Sequence, residues 1–273
     1  PFLKPNVLFG FFFKFLVKMI LQIILLLLLV GPILILGAML AFKIVESGYI
    51  LIFNKPLYLY FYPFPKKLQP KHKLMLQNEF AFYRRLSDKK KVYFEHRINC
   101  FLKTYKFIGN DIAITQEMML LVAATYVMLT FGMRHYLVQR FNKIVIYPAK
   151  YFSASNQEYH KGEYNPRLKA VVFSWEDFLL GHQNSSDNVN LGLHEFAHVL
   201  HFHALKSNDP SAAIFYDEFN AIANSYKDEA LFATLISKGY FREYAYENQY
   251  EFLAVILEHF FESPETFKKQ LPE

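Results

Sequence analysis

Asn190-Leu191-Gly192-Leu193-His194-Glu195-Phe196-Ala197-His198-Val199-Leu200 is the stretch on which the reading of this chain turns. At its centre stands an H-E-x-x-H motif, His194 to His198, set among apolar neighbours. On an α-helix, residues i and i+4 leave one face, so the imidazoles of His194 and His198 converge on one point while Glu195 stands beside it. A Zn²⁺ ion held there polarises a carbonyl and lowers the pKa of water to about 7, and a neighbouring glutamate takes the water's proton and passes it to a leaving amine. The pattern points to hydrolysis of amide bonds. Chance also places two histidines and a glutamate at this spacing on some amphipathic helices. Leu191, Leu193, Phe196, Ala197 and Leu200 weigh against chance, because they bury the helix and a buried Glu195 without a metal or donor is costly. His201 and His203 extend the cluster and read as polar residues of the helix's outer turn.

Outward toward the N-terminus, Met19 to Phe42 reads MILQIILLLLLVGPILILGAMLAF, uncharged throughout and bounded by Lys18 and Lys43. About 20 apolar residues span a bilayer core, so this stretch predicts one transmembrane helix, kinked at Gly31-Pro32. It is longer than a signal-peptide apolar region and lacks a small-x-small cleavage site, which favours an uncleaved anchor. Residues 1–18, rich in Phe with Lys14 and Lys18, are expected at the membrane interface. The chain begins at Pro1 rather than Met, so further N-terminal residues are expected. Lysines flank the span on both sides, and the positive-inside rule nearly ties.

Residues 43–75 read as a linker, with Pro56, Pro63, Pro65 and Pro70 favouring an extended course and Tyr58, Tyr60 and Tyr62 placed either at the membrane interface or on the domain. The folded domain is expected over 76–273. Ser87 is a plausible cap for a helix to about Tyr105, and Thr115 for one over Gln116 to Gly132, whose run Met118 to Thr130 is too short to span a bilayer and reads as a buried central helix. Lys143–Tyr147 and Ala170–Ser174 have strand character. The second, just before the motif, is either an edge strand that would align an extended substrate or only scaffold. Asn188 or Asn190 would cap the motif helix.

The 273 residues are 53% hydrophobic and 18% aromatic, with a formal charge of +6 and a pI near 9.1. The excess of lysine between Lys66 and Lys91 suits either an anionic lipid surface or solvent, and no nucleic-acid module accompanies it. A single cysteine, Cys100, excludes an intrachain disulfide and a cysteine-based zinc site, and is expected in the core.

A catalytic zinc site needs a third protein ligand, and spacing leaves Glu251, Glu258, His259, Asp217, Glu218 and His201 open. Ile114-Thr115-Gln116-Glu117-Met118, Val172-Phe173-Ser174-Trp175, the motif itself, Tyr244-Ala245, Tyr250 to Val255 and Glu258-His259-Phe260-Phe261 together resemble the Mlc titration factor A family of zinc peptidases, over roughly residues 76–268. That resemblance implies an α+β fold, mainly helical and gluzincin-like with a small sheet. It implies Zn²⁺ on His194, His198 and Glu251, with Glu195 as base and Tyr244 assisting the transition state. It also implies peptide or protein substrates and a cytoplasmic catalytic domain. The family usually continues H-E-F-A-H with Lys-Leu-Asp, where this chain has Val199-Leu200-His201. Cytosolic relatives bind a transcriptional repressor, a partner that does not carry over to an anchored chain. Two other functions fit the same residues: a zinc-containing regulatory protein that sequesters a partner with little proteolysis, and a membrane quality-control protease.

Overall fold

The computed structural model describes residues 5–153, 157–184, 187–227 and 229–271, and the chain divides into two compact units, Pro1–Leu57 and Tyr58–Glu273. The first four residues of the expected interfacial segment, and Ser185 and Ser186 before the motif helix, lie outside the described residues.

The first unit is one helix, α1 (Pro5–Phe53), which continues through Gly31-Pro32 without a break. Neighbouring apolar residues sustain it, and from Phe13 to Phe53 it is long and apolar enough to cross a membrane. At 1.5 Å per residue its 49 residues extend about 70 Å, more than twice a bilayer core of about 30 Å. Residues 43–53, read from sequence as the start of a linker, are helical: Lys43 and Glu46 interrupt the apolar run, but no proline follows until Pro56.

The second unit is an α+β domain. Helices α2 (Pro70–Glu79), α3 (Ala81–Arg85) and α4 (Asp88–Thr104) lead into strand β1 (Lys106–Gly109), followed by α5 (Gln116–Leu129) and β2 (Lys143–Tyr147). A hairpin of β3 (Tyr151–Ser153) and β4 (Glu158–His160) precedes β5 (Gly162–Asn165), β6 (Ala170–Ser174) and α6 (Trp175–Gln183). The motif helix α7 (Leu191–Ala204) is followed by α8 (Pro210–Lys227), α9 (Glu229–Lys238), α10 (Gln249–Glu262) and α11 (Pro264–Gln270). The main sheet runs β1-β2-β6-β5, with β1, β2 and β6 parallel and β5 antiparallel to β6.

The position of β6 corrects one expectation. Ala170–Ser174 is interior, paired to β2 on one side and β5 on the other, and the edge beside the motif helix belongs to β5. All five β6 residues are buried, as a strand paired on both sides requires, and an uninterrupted apolar run cannot reveal from sequence which strand lies beyond it.

Helix α5 is the buried central helix that its apolar run predicts, capped by the Thr115 hydroxyl, which accepts from the Met118 N–H. Helix α7 packs against α5, α6 and α10. Gly192 permits this closeness, since a Cβ there would meet Phe178 Cε2 at 2.6 Å and Thr125 Cγ2 at 3.0 Å. Phe196, fully buried, joins α7 to Phe173 of β6 and Tyr126 of α5. Burying one such phenyl ring contributes about 1.5–3 kcal/mol.

The proline-rich stretch is docked on this domain. Arg97 of α4, fully buried, donates to the Tyr62 hydroxyl and to the carbonyls of Leu59, Thr130 and Met133, and its guanidinium stacks on Tyr60 and Tyr136. Tyr60 donates to the Phe131 carbonyl, and the Lys66 N–H donates to His96 Nδ1. Tyr60 and Tyr62 therefore pack on the domain. Cys100 is half-buried rather than in the core, with Sγ 3.6 Å from His96 Nε2.

Candidate metal centre

Helix α7 begins where Asn190 accepts from the Leu193 N–H at 3.0 Å, which fixes the phase of the helix and turns His194 and His198 to one side. Helix α10 begins in the same way, with Asn248 accepting from the N–H groups of Tyr250 and Glu251, so Glu251 sits in the first turn of α10 facing α7. Ligand atoms of His194, His198 and Glu251 all lie within 4.8 Å of one another. His194 Nε2 is 3.2 Å from His198 Nε2 and 2.8 Å from Glu251 Oε2, and His198 Nε2 is 3.5 Å from Glu251 Oε1. Donors around a tetrahedral ion with bonds of about 2.0–2.1 Å stand roughly 3.3–3.4 Å apart, which the 3.2 and 3.5 Å separations match and the 2.8 Å hydrogen-bonded contact would have to open by about 0.5 Å to reach. Glu251 Oε2 is buried and lies 2.8 Å from His194 Nε2, which donates to it when the imidazole carries both protons.

Glu258 explains that geometry. One oxygen lies 2.8 Å from His194 Nδ1, so in the neutral imidazole a proton on Nδ1 is donated there and the Nε2 lone pair is left for an ion shared with His198 and Glu251. Glu258 is fully buried and held on both oxygens by Arg242, at 2.9 and 2.8 Å, and by the Asn190 N–H at 2.8 Å. Seven residues apart on α10, Glu251 and Glu258 thus address the two nitrogens of one imidazole.

The cluster favours positive charge. Burial opposes a charged His194, but Glu251 and Glu258 overcome it and push the imidazole up to about 10. Burial also disfavours the Glu251 carboxylate, yet His194 and His198 hold it well below the usual carboxylate range. Glu258 is likewise lowered, by His194 and Arg242 acting against burial. Glu195 moves the other way: burial raises it, with the two histidines and the Tyr164 backbone as partial opposition.

Glu195 lies against the edge strand. A Cβ at Gly162 would come within 2.7 Å of Glu195 Oε1, 2.9 Å of Glu195 Cγ and 2.7 Å of Leu191 Cδ1. Tyr244, on the turn Glu243–Tyr246, has its ring 5.7 Å from that of His194 and its hydroxyl within reach of Glu251. Burial, then the charge of Glu251, raises this phenol and keeps it protonated. A cleft of about 440 Å³ opens over the cluster, lined by Gly162, Leu180, Leu191, Glu195 and Tyr244 among others.

The other candidates lie elsewhere. His201 packs on Phe219 and Tyr250, His259 on Tyr240 and Phe241, and burial lowers both histidines to about 4. Asp217 and Glu218 are exposed on α8. Sequence reasoning missed three positions: the role of Glu258 on the far nitrogen of His194, Arg242, and Gly162. The need of every ligating histidine for a partner on its second nitrogen was a usable signal for Glu258. Arg242 and Gly162 carry no local signal.

Comparison with known proteins agrees with this geometry. The family described as glucose-regulated metallo-peptidase M90 matches residues 63–273. An uncharacterized protein of Synechocystis sp. is 27% identical over 224 residues, which cover 73% of this chain and 78% of that protein.

Proposed function

The chain belongs to the glucose-regulated metallopeptidase M90 family, the Mlc titration factor A family, and from that premise we propose that it is a membrane-anchored zinc peptidase. Metallopeptidases carry a metal, usually zinc, and act on peptides or proteins. The observation that carries the proposal is the convergence of His194 Nε2, His198 Nε2 and the Glu251 carboxylate beside the buried Glu195.

His194, His198 and Glu251 would hold the ion, and Glu258 with Arg242 would keep His194 in the ligating tautomer. Zinc, when bound, supplies a Lewis acid that polarises the scissile carbonyl and acidifies water. Glu195 accepts the proton of the attacking water and delivers it to the departing amine nitrogen, and its raised pKa suits a group that must do both. The Tyr244 hydroxyl donates to the oxygen on which negative charge develops. Strand β5, which has no strand partner on its outer side among the described residues, offers backbone groups to an extended substrate. Helix α1 serves as the single membrane span, with the catalytic domain on the cytoplasmic side.

The test uses the full chain in detergent or nanodiscs. Glu195→Gln is expected to retain zinc while hydrolysis of a peptide panel falls at least about 100-fold. Full activity in Glu195→Gln would place the chemistry elsewhere, and a zinc-bound wild type inert toward the whole panel would refute the peptidase reading.

A further inference from the structure

We infer that Phe61 and Phe64, with the lysines around them, form a second membrane contact on the catalytic unit, which inserts into the headgroup region of an anionic bilayer; this rests on the reading of α1 as a membrane span. The inference starts from the way the segment is held. Tyr60 and Tyr62 turn inward onto Arg97, and in an extended chain the residue between them must turn outward. Phe61 is accordingly 76% exposed, and Phe64, between Pro63 and Pro65, is 89% exposed. Neither ring hangs on a loose loop. The backbone beneath is fixed by Arg97 on the Leu59 carbonyl, by Tyr60 on the Phe131 carbonyl and by the Lys66 N–H on His96, and the two prolines restrict it further. Two large apolar rings are thus held in water by a rigid frame, so insertion loses little conformational freedom.

Charge and tether length select lipid as the occupant. From Ser47 to Asn78 the sequence contains no acidic residue, while Lys66, Lys67 and Lys71 are exposed on the same segment and Lys55 precedes it. Aromatic rings flanked by lysines match the boundary between acyl chains and anionic headgroups. The end of α1 at Phe53 is eight residues from Phe61, which limits their separation to about 30 Å however the two units are arranged. If α1 spans a bilayer, this tether lets Phe61 and Phe64 reach its surface.

The experiment places the full chain in nanodiscs of phosphatidylcholine and phosphatidylglycerol, with Trp175→Phe as the background and Phe64→Trp as the reporter. Brominated lipids read depth. The inference expects blue-shifted emission from the indole at position 64, falling about twofold with bromines near the headgroups and less with bromines at the bilayer centre. Lys66→Glu with Lys67→Glu should reduce that quenching, as should phosphatidylcholine alone. A Leu27→Trp reporter in the same background checks the anchor separately. Deep quenching of the Leu27→Trp reporter with unquenched, red-shifted emission from Phe64→Trp overturns the second contact and leaves the anchor standing. Blue-shifted but unquenched emission from Phe64→Trp means that protein covers the ring, and the lipid assignment fails. Absence of quenching at both positions removes the anchor reading and this inference with it.

Discussion

A single methyl group at residue 162 should separate catalysis from metal binding. The Cβ of Gly162→Ala would lie 2.7 Å from Glu195 Oε1 and 2.9 Å from Glu195 Cγ, where ordinary contact begins near 3.4 Å. A carboxylate tip alone would swing away cheaply, but Cγ cannot move without carrying the whole side chain, and Glu195 is buried with Leu191 pressed against the same point. Relief therefore requires about 0.5–1 Å of movement by Glu195 or by β5, and overpacking of this kind costs about 1–3 kcal/mol of stability. Displacing a catalytic group by about 1 Å costs on the order of 100-fold in rate, so kcat/KM should fall about 30- to 100-fold, roughly 2–2.7 kcal/mol of transition-state stabilisation. His194, His198 and Glu251 are not among the nearest atoms, so zinc content should stay at one per chain. The assay combines peptide hydrolysis, elemental analysis and thermal unfolding on the same preparation. Unchanged kcat/KM would show that β5 does not position Glu195, and loss of zinc would show that the strain passes into the ligands instead.

Glu251→Ala should abolish stoichiometric zinc, whereas Glu258→Gln should keep zinc but weaken its affinity about 10- to 100-fold; the reverse order, by competition with a chelator, would exchange the two roles. His194 without metal is raised to about 10, so it carries a proton below that pH, and the metal must displace it. Zinc binding at pH 7–8 should therefore release at least about one proton, and affinity should rise with pH while His194 remains protonated; calorimetry in buffers of different ionisation enthalpy that finds no proton release would refute the assignment. A cysteine placed between Pro56 and Pro70 should resist an impermeant thiol reagent in intact cells and react after lysis, and labelling in intact cells would put the peptidase on the other side.

Much of the scaffold was legible because local signals agree with the fold. Thr115 and Asn190 cap the helices that their positions suggest, and both predicted strands form. The run Met118 to Thr130 was separable from a membrane span by length alone, and it is buried as that length requires. What sequence did not show depends on neighbours distant along the chain. The five buried residues of β6 read alike whether or not another strand lies beyond, so the edge position of β5 appeared only with the register Gly162↔Phe173. Tyr60 and Tyr62 gave no sign of direction, because their partner, Arg97, is over thirty residues away and lacks any sequence mark of burial. Glu258 was visible as a candidate ligand, but its position on His194 Nδ1 rather than beside His198 depends on how α10 packs against α7.

The charges at this centre argue for a divalent cation independently of the family. Glu195, Glu251 and Glu258 bring three carboxylates into a buried space where Arg242 is the guanidinium bound to one of them. With all three ionised, the excess is two negative charges. Holding such an excess away from water costs several kcal/mol unless it is neutralised. The protein has two ways to neutralise it. Glu195 can take a proton, toward which burial already pushes it, and His194 can take another, favoured by the Glu251 and Glu258 carboxylates beside it. Both protons would sit on groups that the proposed hydrolysis needs free, His194 as a ligand and Glu195 as a base. An ion of charge +2 removes the same excess while leaving both groups deprotonated. The same charge balance therefore favours a divalent cation and would leave the protonation states that the proposed reaction needs.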